Sequence, residues 1–439
     1  MSKNNFLVEN IKIRSMSMFS DASYHLKYRL RKAVRWTPAY RKAYRESAIM
    51  CSREQQEVLF WKILRYAVEH VPYYSEYRKF LDGGTRIKDL PLVTKENIAE
   101  DAILFVSDEF NRKRLLCVST GGTTGTSTNI YTSWLDEIRQ TAYTDAAFDL
   151  GRVADPVICT IREHDLGPHE TYRFWGNRLM LSPSNISRDS LKYYVDLMRR
   201  YKVNILHCYP SSLMVFCKLL QSSRIELDIE AVLVSSEIVS SEVKHIVGAV
   251  FPRASFINLY AQTENVARGI SLNSAPFEFM TSKFLVEFLD IGERRDGNIV
   301  AEIVGTNLEK KSMPLIRFAT GDYAVIDPSG RVIDILGRTS EYLIDKFGSP
   351  IPCIVVNRPN TMDNVFLAQY YQDKIGEFEY RIMVNDRFGA KDIQAIKEDI
   401  QAEFGDKLTA KIHVVKELEK TSRGKHRKLI QKLDLSQYL

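Results

Sequence analysis

Residues 119–128 read Ser119-Thr120-Gly121-Gly122-Thr123-Thr124-Gly125-Thr126-Ser127-Thr128, and all ten are Gly, Ser or Thr. Glycine admits positive φ and close backbone approach, while hydroxyls and bare N–H groups wrap phosphate oxygens. No Lys-Ser/Thr follows, which excludes a Walker loop, and glycines at 121, 122 and 125 exclude the dinucleotide fingerprint. A plain Ser/Thr/Gly linker fits poorly, because an apolar strand at Leu115–Val118 enters the run and the structured stretch Ile130–Leu135 leaves it. The stretch reads as a phosphate-binding loop held between ordered elements.

Downstream, the apolar runs Val203–Cys208, Ala231–Val234 and Ala254–Leu259 alternate with helical stretches, one opened by Pro210 and one over about 240–250. This β-α-β-α-β order predicts a parallel sheet, in which ligands sit at the carboxyl ends of strands. Each run ends in polar or aromatic residues: His207-Cys208-Tyr209, Ser235-Ser236-Glu237 and Tyr260-Ala261-Gln262-Thr263-Glu264. Upstream, an amphipathic helix over 54–71 stops at Pro72, and Thr94 caps a second helix. Beyond about 280, short alternating strands predict a β-rich subdomain. From about 338, a strand near 377–384, a helix near 390–404 and a strand near 409–415 predict a small α/β unit with a polar, basic tail.

The chain has 439 residues, 45% of them apolar and 26% charged, which is too long for one core of ~250–300 residues and too apolar for disorder. No apolar run approaches the roughly 18 residues of a membrane span, and the first residues lack the apolar core of a secretory signal. Six scattered cysteines fit reduced thiols, so the expectation is a cytoplasmic protein. A net charge of +6 does not argue for nucleic acid. Between Lys27 and Arg45, however, eight Lys/Arg alternate with Tyr28, Trp36, Tyr40 and Tyr44 without an acid. The plainer reading is a helical face packing its rings on the body; the sharper one is peripheral contact with the anionic inner face of a membrane. His164 and His169 lack further spaced ligands and predict no metal centre.

Together these motifs resemble the adenylate-forming enzymes: acyl-CoA synthetases, peptide-synthetase adenylation domains and luciferase. Residues 120–128 resemble that family's phosphate loop and Tyr260–Glu264 its Tyr-Gly-x-Thr-Glu segment. Arg317-Phe318-Ala319-Thr320-Gly321-Asp322 is similar to its Thr-Gly-Asp segment, Gly337-Arg338 to its hinge, and Thr421-Ser422-Arg423-Gly424-Lys425 to its catalytic-lysine segment. Val71–Ser75, Leu90–Lys95 and Ser236-Glu237 resemble the phenylacetate–CoA ligase-like subgroup, including members encoded with capsule and O-antigen genes.

The resemblance implies an α/β fold. Residues 1–337 would form a large N-terminal domain with parallel α/β sheets, including a basic segment at 1–53 and the β-rich part at about 280–337. Residues 338–439 would form a small mobile C-terminal α/β domain. It implies ATP-dependent conversion of a small-molecule carboxylate to acyl-AMP with release of pyrophosphate, then transfer to CoA or an amine. Ser119, Thr120, Gly121, Gly122, Thr123, Thr124 and Gly125 would hold phosphates, with Thr124 and Glu264 on Mg2+. Ser236, Glu237, Tyr260, Ala261, Asp322 and Arg338 would bind the nucleotide, and Thr263, Glu264 and Lys425 would act at the α-phosphate. His207, Tyr209 and Ser236 would line the acyl pocket. Thr126 and Ser127 stand where the family carries Lys and Pro, Ala261 where it carries Gly, Ser340 at the hinge pivot, and Leu343-Ile344-Asp345 where an Ile-Lys pair follows. Adenylation is therefore better supported than thioester formation. The rival readings are an adenylyltransferase acting on a hydroxyl and a degenerate nucleotide-binding assembly protein.

Overall fold

The computed structural model describes residue 35 and residues 37–81, 83–119, 128–153, 156–162, 172–175, 178–183, 186–338, 342–352, 364–420 and 426–433. Residues 1–34, Trp36, Thr120–Ser127, His164, His169, Ser340 and Thr421–Lys425 lie outside them.

Local chemistry sets the first helices. Pro38 occupies the first turn of α1 (Pro38–Glu46), and the Thr37 hydroxyl accepts from the Tyr40 N–H. A reciprocal Ser52/Gln55 pair opens α2 (Arg53–His70), which ends before Pro72. In α3 (Lys95–Glu100), the Asn97 side chain accepts from the Thr94 N–H at 2.9 Å. The antiparallel hairpin β1 (Leu116–Ser119) and β2 (Asn129–Thr132) sets Ser119 opposite Asn129, so the Gly/Ser/Thr run is flanked by paired strand positions. Its second strand feeds α4 (Trp134–Asp149), capped by Ser133 and Asp136. The basic segment's described part packs on this helix. The Tyr40 hydroxyl and Arg35 Nε both reach Asp145, at 2.7 and 3.0 Å, and the Tyr44 hydroxyl donates to Asp149.

The central sheet follows, with β3 (Ile158–Ile161), β4 (Tyr172–Trp175), β5 (Arg178–Leu181), α5 (Arg188–Arg200), β6 (Ile205–Cys208), α6 (Pro210–Ser223), β7 (Ala231–Ser235), α7 (Ser241–Val250), β8 (Ser255–Ala261), β9 (Arg268–Leu272) and β10 (Glu278–Phe279). Strand order is β10-β9-β8-β7-β6-β3-β5-β4. Strands β5, β3, β6, β7 and β8 run parallel, extending the expected three-strand block, and antiparallel strands close both edges. Both faces are covered, which is why these strands read as continuous apolar runs. Cys159, Leu206, Cys208, Val232 and Val234 face α5, α6 and α7, whereas Ile158, Ile205, Leu233 and Ile257 face Ala147 and Phe148 of α4.

Next comes an antiparallel meander of β11 (Phe284–Arg295), β12 (Asn298–Asn307), β13 (Phe318–Ile326) and β14 (Val332–Arg338). A short pair, β15 (Tyr342–Ile344) and β16 (Pro350–Pro352), leads to the C-terminal sheet of β17 (Val365–Lys374), β18 (Glu377–Val384), α8 (Ala390–Phe404), β19 (Thr409–Val414) and β20 (Leu429–Gln431). Its order is β19-β18-β17-β20. The basic tail is not purely a tail: β20 pairs parallel with β17, register Tyr370–Leu429. Strand β17 hides in the sequence because Gln369 and Gln372, both fully buried, interrupt its pattern. No described helix is long and apolar enough to cross a membrane.

Arg317 ties the meander to the N-terminal segment. Its guanidinium forks onto Glu287 at 2.9 and 3.0 Å and also donates to the carbonyls of Lys88 (3.1 Å) and Leu90. Its N–H donates to Thr306 Oγ1 (2.8 Å), and its carbonyl accepts from Val93 (3.0 Å). The side chains are 4% and 11% exposed, so removing one charge leaves the other stranded. Glu287→Ala should cost on the order of 3–5 kcal/mol by denaturant unfolding. A loss below about 1 kcal/mol, the worth of a surface pair, would count against this role.

Candidate active site

The carboxyl ends of β3, β6, β7 and β8 form one rim. At β8, the Tyr260 hydroxyl donates to Asp322 Oδ2 (2.9 Å) and accepts from Gln262 Nε2 (2.8 Å). Burial, reinforced by the Asp322 charge, pushes this hydroxyl well above its usual pKa, so it remains a donor. Asp322 lies on β13, opposite Arg338 of β14, and follows Gly321, whose φ is +67°. The sequence-expected pair Tyr260 and Asp322 thus meets from two sheets.

Thr263 and Glu264 form the turn after β8, leaving Ala261 in the strand. The turn is clamped against the end of β12: Asn307 Nδ2 donates to the Asn265 carbonyl (2.9 Å) while Asn307 Oδ1 accepts from the N–H of Lys310 (2.9 Å). A Cβ on Gly305 would lie 2.4 Å from the Val266 carbonyl oxygen, so only glycine allows this approach. Lys310 is buried facing Asp136, Glu137 and Glu264; burial lowers its ammonium pKa and the three acids act against that shift.

At β6 and β7, the structure adds a residue that sequence reasoning missed. Arg162, one position past β3, donates to His207 Nε2 (2.6 Å) and to Ser236 Oγ (2.8 Å), and lies 5.1 Å over the Tyr209 ring. A guanidinium only donates, so His207 Nε2 accepts and the imidazole is neutral. His207, Tyr209 and Ser236 are therefore joined through Arg162. In the sequence Arg162 stands out only as a charged residue that ends the apolar run Val157–Ile161. Ser236 sits at φ +71°, and Gly337 of β14 approaches Ile238.

Glu237 lies one residue further. Its carboxylate accepts from the Ser211 N–H and hydroxyl, both 3.0 Å, and from the His426 N–H at 3.0 Å. His426 pairs with Lys420 across the segment that contains Lys425, and Gln369 pins both stems through Glu419 and Arg427. The residues expected to form the phosphate loop, Thr120, Gly121, Gly122, Thr123, Thr124 and Gly125, and Lys425, lie outside the described residues.

A family model described as the CapK C-terminal domain matches residues 349–432. Protein CapK of Staphylococcus aureus is 22% identical over 402 residues, covering 85% of this chain and 88% of that protein. Phenylacetate-coenzyme A ligase of Thermus thermophilus is 23% identical over 405 residues, covering 82% and 87%. A solved structure of 2-hydroxyisobutyryl-CoA ligase in the postadenylation state, with 2-HIB-AMP, overlaps at a TM-score of 0.65, with 15% identity over 87% of this chain and 90% of that one. Over most of its length the chain is similar to CapK and to phenylacetate-coenzyme A ligase, and it shares the fold of the solved 2-hydroxyisobutyryl-CoA ligase. The same ligase in its thioesterification state overlaps this chain less well, at 0.50 with 16% identity over 87% and 90%.

Members of such a fold invite a test for Mg2+. Among the described residues no group of three His, Cys, Asp or Glu forms a metal cluster. A single buried carboxylate, Glu264, in the turn after β8 suits an ion that takes one or two carboxylates and fills its shell with phosphate oxygens and water. The residues fit.

His426 yields a pH prediction. Burial holds its imidazole at about 4, below the ordinary 6.5, while its Nε2–H bond to the Ala368 carbonyl (2.9 Å) opposes and Lys420 and Lys428 reinforce the shift. The folded state resists protonation, so its stabilisation is complete above pH 6.5 and is lost as pH falls from 6.5 toward about 4. His426→Gln should flatten the melting-temperature slope across that window. Parallel slopes for the two proteins would rule the assignment out.

Proposed function

We propose that this protein activates a carboxylate with ATP as acyl-AMP, releasing pyrophosphate, and then passes the acyl group to CoA or an amine. The observation that carries the reading is the Tyr260–Asp322 bond, which unites two motif segments from separate sheets beside the Glu264 turn. The wide overlap with an acyl-CoA ligase and the likeness to phenylacetate–CoA ligase support the same chemistry.

Activation brings two anions together and drives charge onto the α-phosphate and the departing pyrophosphate. The protein's part is positioning and charge stabilisation. Asp322 is proposed to accept the ribose hydroxyls, held in place by Tyr260, whose ring would face adenine. Residues 119–125 are proposed to hold the β- and γ-phosphates, and Thr263 to touch the α-phosphate. Glu264 would hold Mg2+, which when bound neutralises phosphate charge. Buried Lys310 lies in the field of Asp136, Glu137 and Glu264 and offsets their charge. Arg162, His207, Tyr209 and Ser236 would line the acyl side. Residues 338–439 are proposed as the moving unit, delivering Lys425 as a point charge to the α-phosphate and carboxylate oxygens.

Pyrophosphate release across a carboxylate panel, with CoA, amines and no acceptor in parallel, tests the reading. Carboxylate-dependent release supports it; release without carboxylate would instead mean adenylyl transfer to a hydroxyl. Lys425→Ala should lower pyrophosphate release by roughly 10²–10³, the worth of one transition-state contact. Its consumption of supplied acyl-adenylate should stay within several-fold of wild type. Lys428→Ala, one charge lost nearby, should spare both steps. Equal losses in both steps for Lys425→Ala would show a structural lysine.

A further inference from the structure

The carboxylate of Glu237 is bonded to a residue 189 positions further along the chain as well as to its own neighbourhood. On one side it is fixed by Ser211, in the first turn of α6, whose N–H and hydroxyl both donate to it. A helix N-terminus favours a negative charge there. On the other side Oε1 accepts from the His426 N–H. His426 is the chain neighbour of Lys425, and consecutive Cα atoms are only about 3.8 Å apart. Elsewhere, the contacts between the C-terminal sheet and the body lie away from this rim. Lys218 donates to the Val365 carbonyl, Phe366 and Leu367 pack on the helices over the central sheet, and Arg188 pairs with Asp386 at the surface.

We propose that Glu237 is a positioning residue, a clasp that fixes the chain next to Lys425 at the carboxyl end of β7 and so favours the pose for the first half-reaction. This rests on the adenylation reading above and deepens it. Rotation of the C-terminal sheet away from α6 breaks the His426 bond while the Ser211 bonds stay, because both Ser211 and Glu237 belong to the body. A contact made in one pose and absent from the other shifts the equilibrium by its own worth. The better overlap with a relative in its postadenylation state than in its thioesterification state fits the clasped pose. The carboxylate is thereby given to the chain's own donors, whereas the resemblance placed Glu237 among nucleotide contacts.

Amide hydrogen exchange at His426 reads the clasp without turnover. In the full-length protein, Glu237→Ala should remove protection at that amide while β17 and β18 stay protected. It should slow pyrophosphate release about ten- to a hundred-fold, the range for a hydrogen bond to a charged group. Consumption of supplied acyl-adenylate should remain within about threefold, below the scale of one such bond. Glu237→Gln keeps an acceptor oxygen without the charge, so it should restore part of both the protection and the rate. Unchanged protection at His426, or equal losses in both half-reactions with a lowered melting temperature, would overturn the clasp. If the wild-type protein releases no pyrophosphate with any carboxylate, the adenylation reading fails; exchange at His426 still decides whether Glu237 holds the tail.

Discussion

The buried fork between Arg317 and Glu287 is the constraint on which the rest depends. Arg317 adopts a φ of +49°, uncommon for a residue with a Cβ, at the point where the chain enters β13. Its guanidinium, N–H and carbonyl bind β11, β12 and the Leu90–Val93 segment at once. The strand that carries Thr320, Gly321 and Asp322 therefore starts from a fixed point. Asp322 then meets Tyr260 without any further adjustment of either sheet. The sequence resemblance placed Arg317 inside a nucleotide motif, but its described bonds are all architectural.

The rim is assembled the same way at each strand end: a polar side chain ties together segments distant in sequence. Asn307 joins the Glu264 turn to the Lys310 turn, Arg162 joins β3 to β6 and β7, and Glu237 joins α6 to the tail. Each of these bonds is made within the protein, so these side chains are tied before any substrate arrives. That is the condition under which electrostatic stabilisation needs little reorganisation.

Much of this was legible. The expected elements at 377–384, 390–404 and 409–415 match Glu377–Val384, Ala390–Phe404 and Thr409–Val414, because alternation and helical spacing survive there intact. Three of the five parallel strands of the central sheet were legible because burial on both faces leaves unbroken apolar runs. Strand β17 was not, since it buries two glutamines that look like surface residues. Nor was β20, three residues set in a basic stretch, whose partner lies far earlier in the chain. Tyr260 and Asp322 could be named from motifs, but their bond, and those of Arg162 and Glu237, join positions distant in sequence. No local pattern encodes such pairings.

Gln369 and Gln372 carry a consequence for how this sequence drifts. Gln369 uses its amide hydrogens on two carbonyls and its oxygen on one N–H, and Gln372 stands between β15, β18 and Gln431 in the same manner. A primary amide offers donors and an acceptor from one planar group, a combination that among the side chains of this length only glutamine provides. Glutamate forfeits the donors, lysine the acceptor, and leucine both, each leaving buried backbone groups stranded. Descendants of this chain can vary widely on the solvent face of α8, whereas these two positions confine them to a narrow corridor of neutral change.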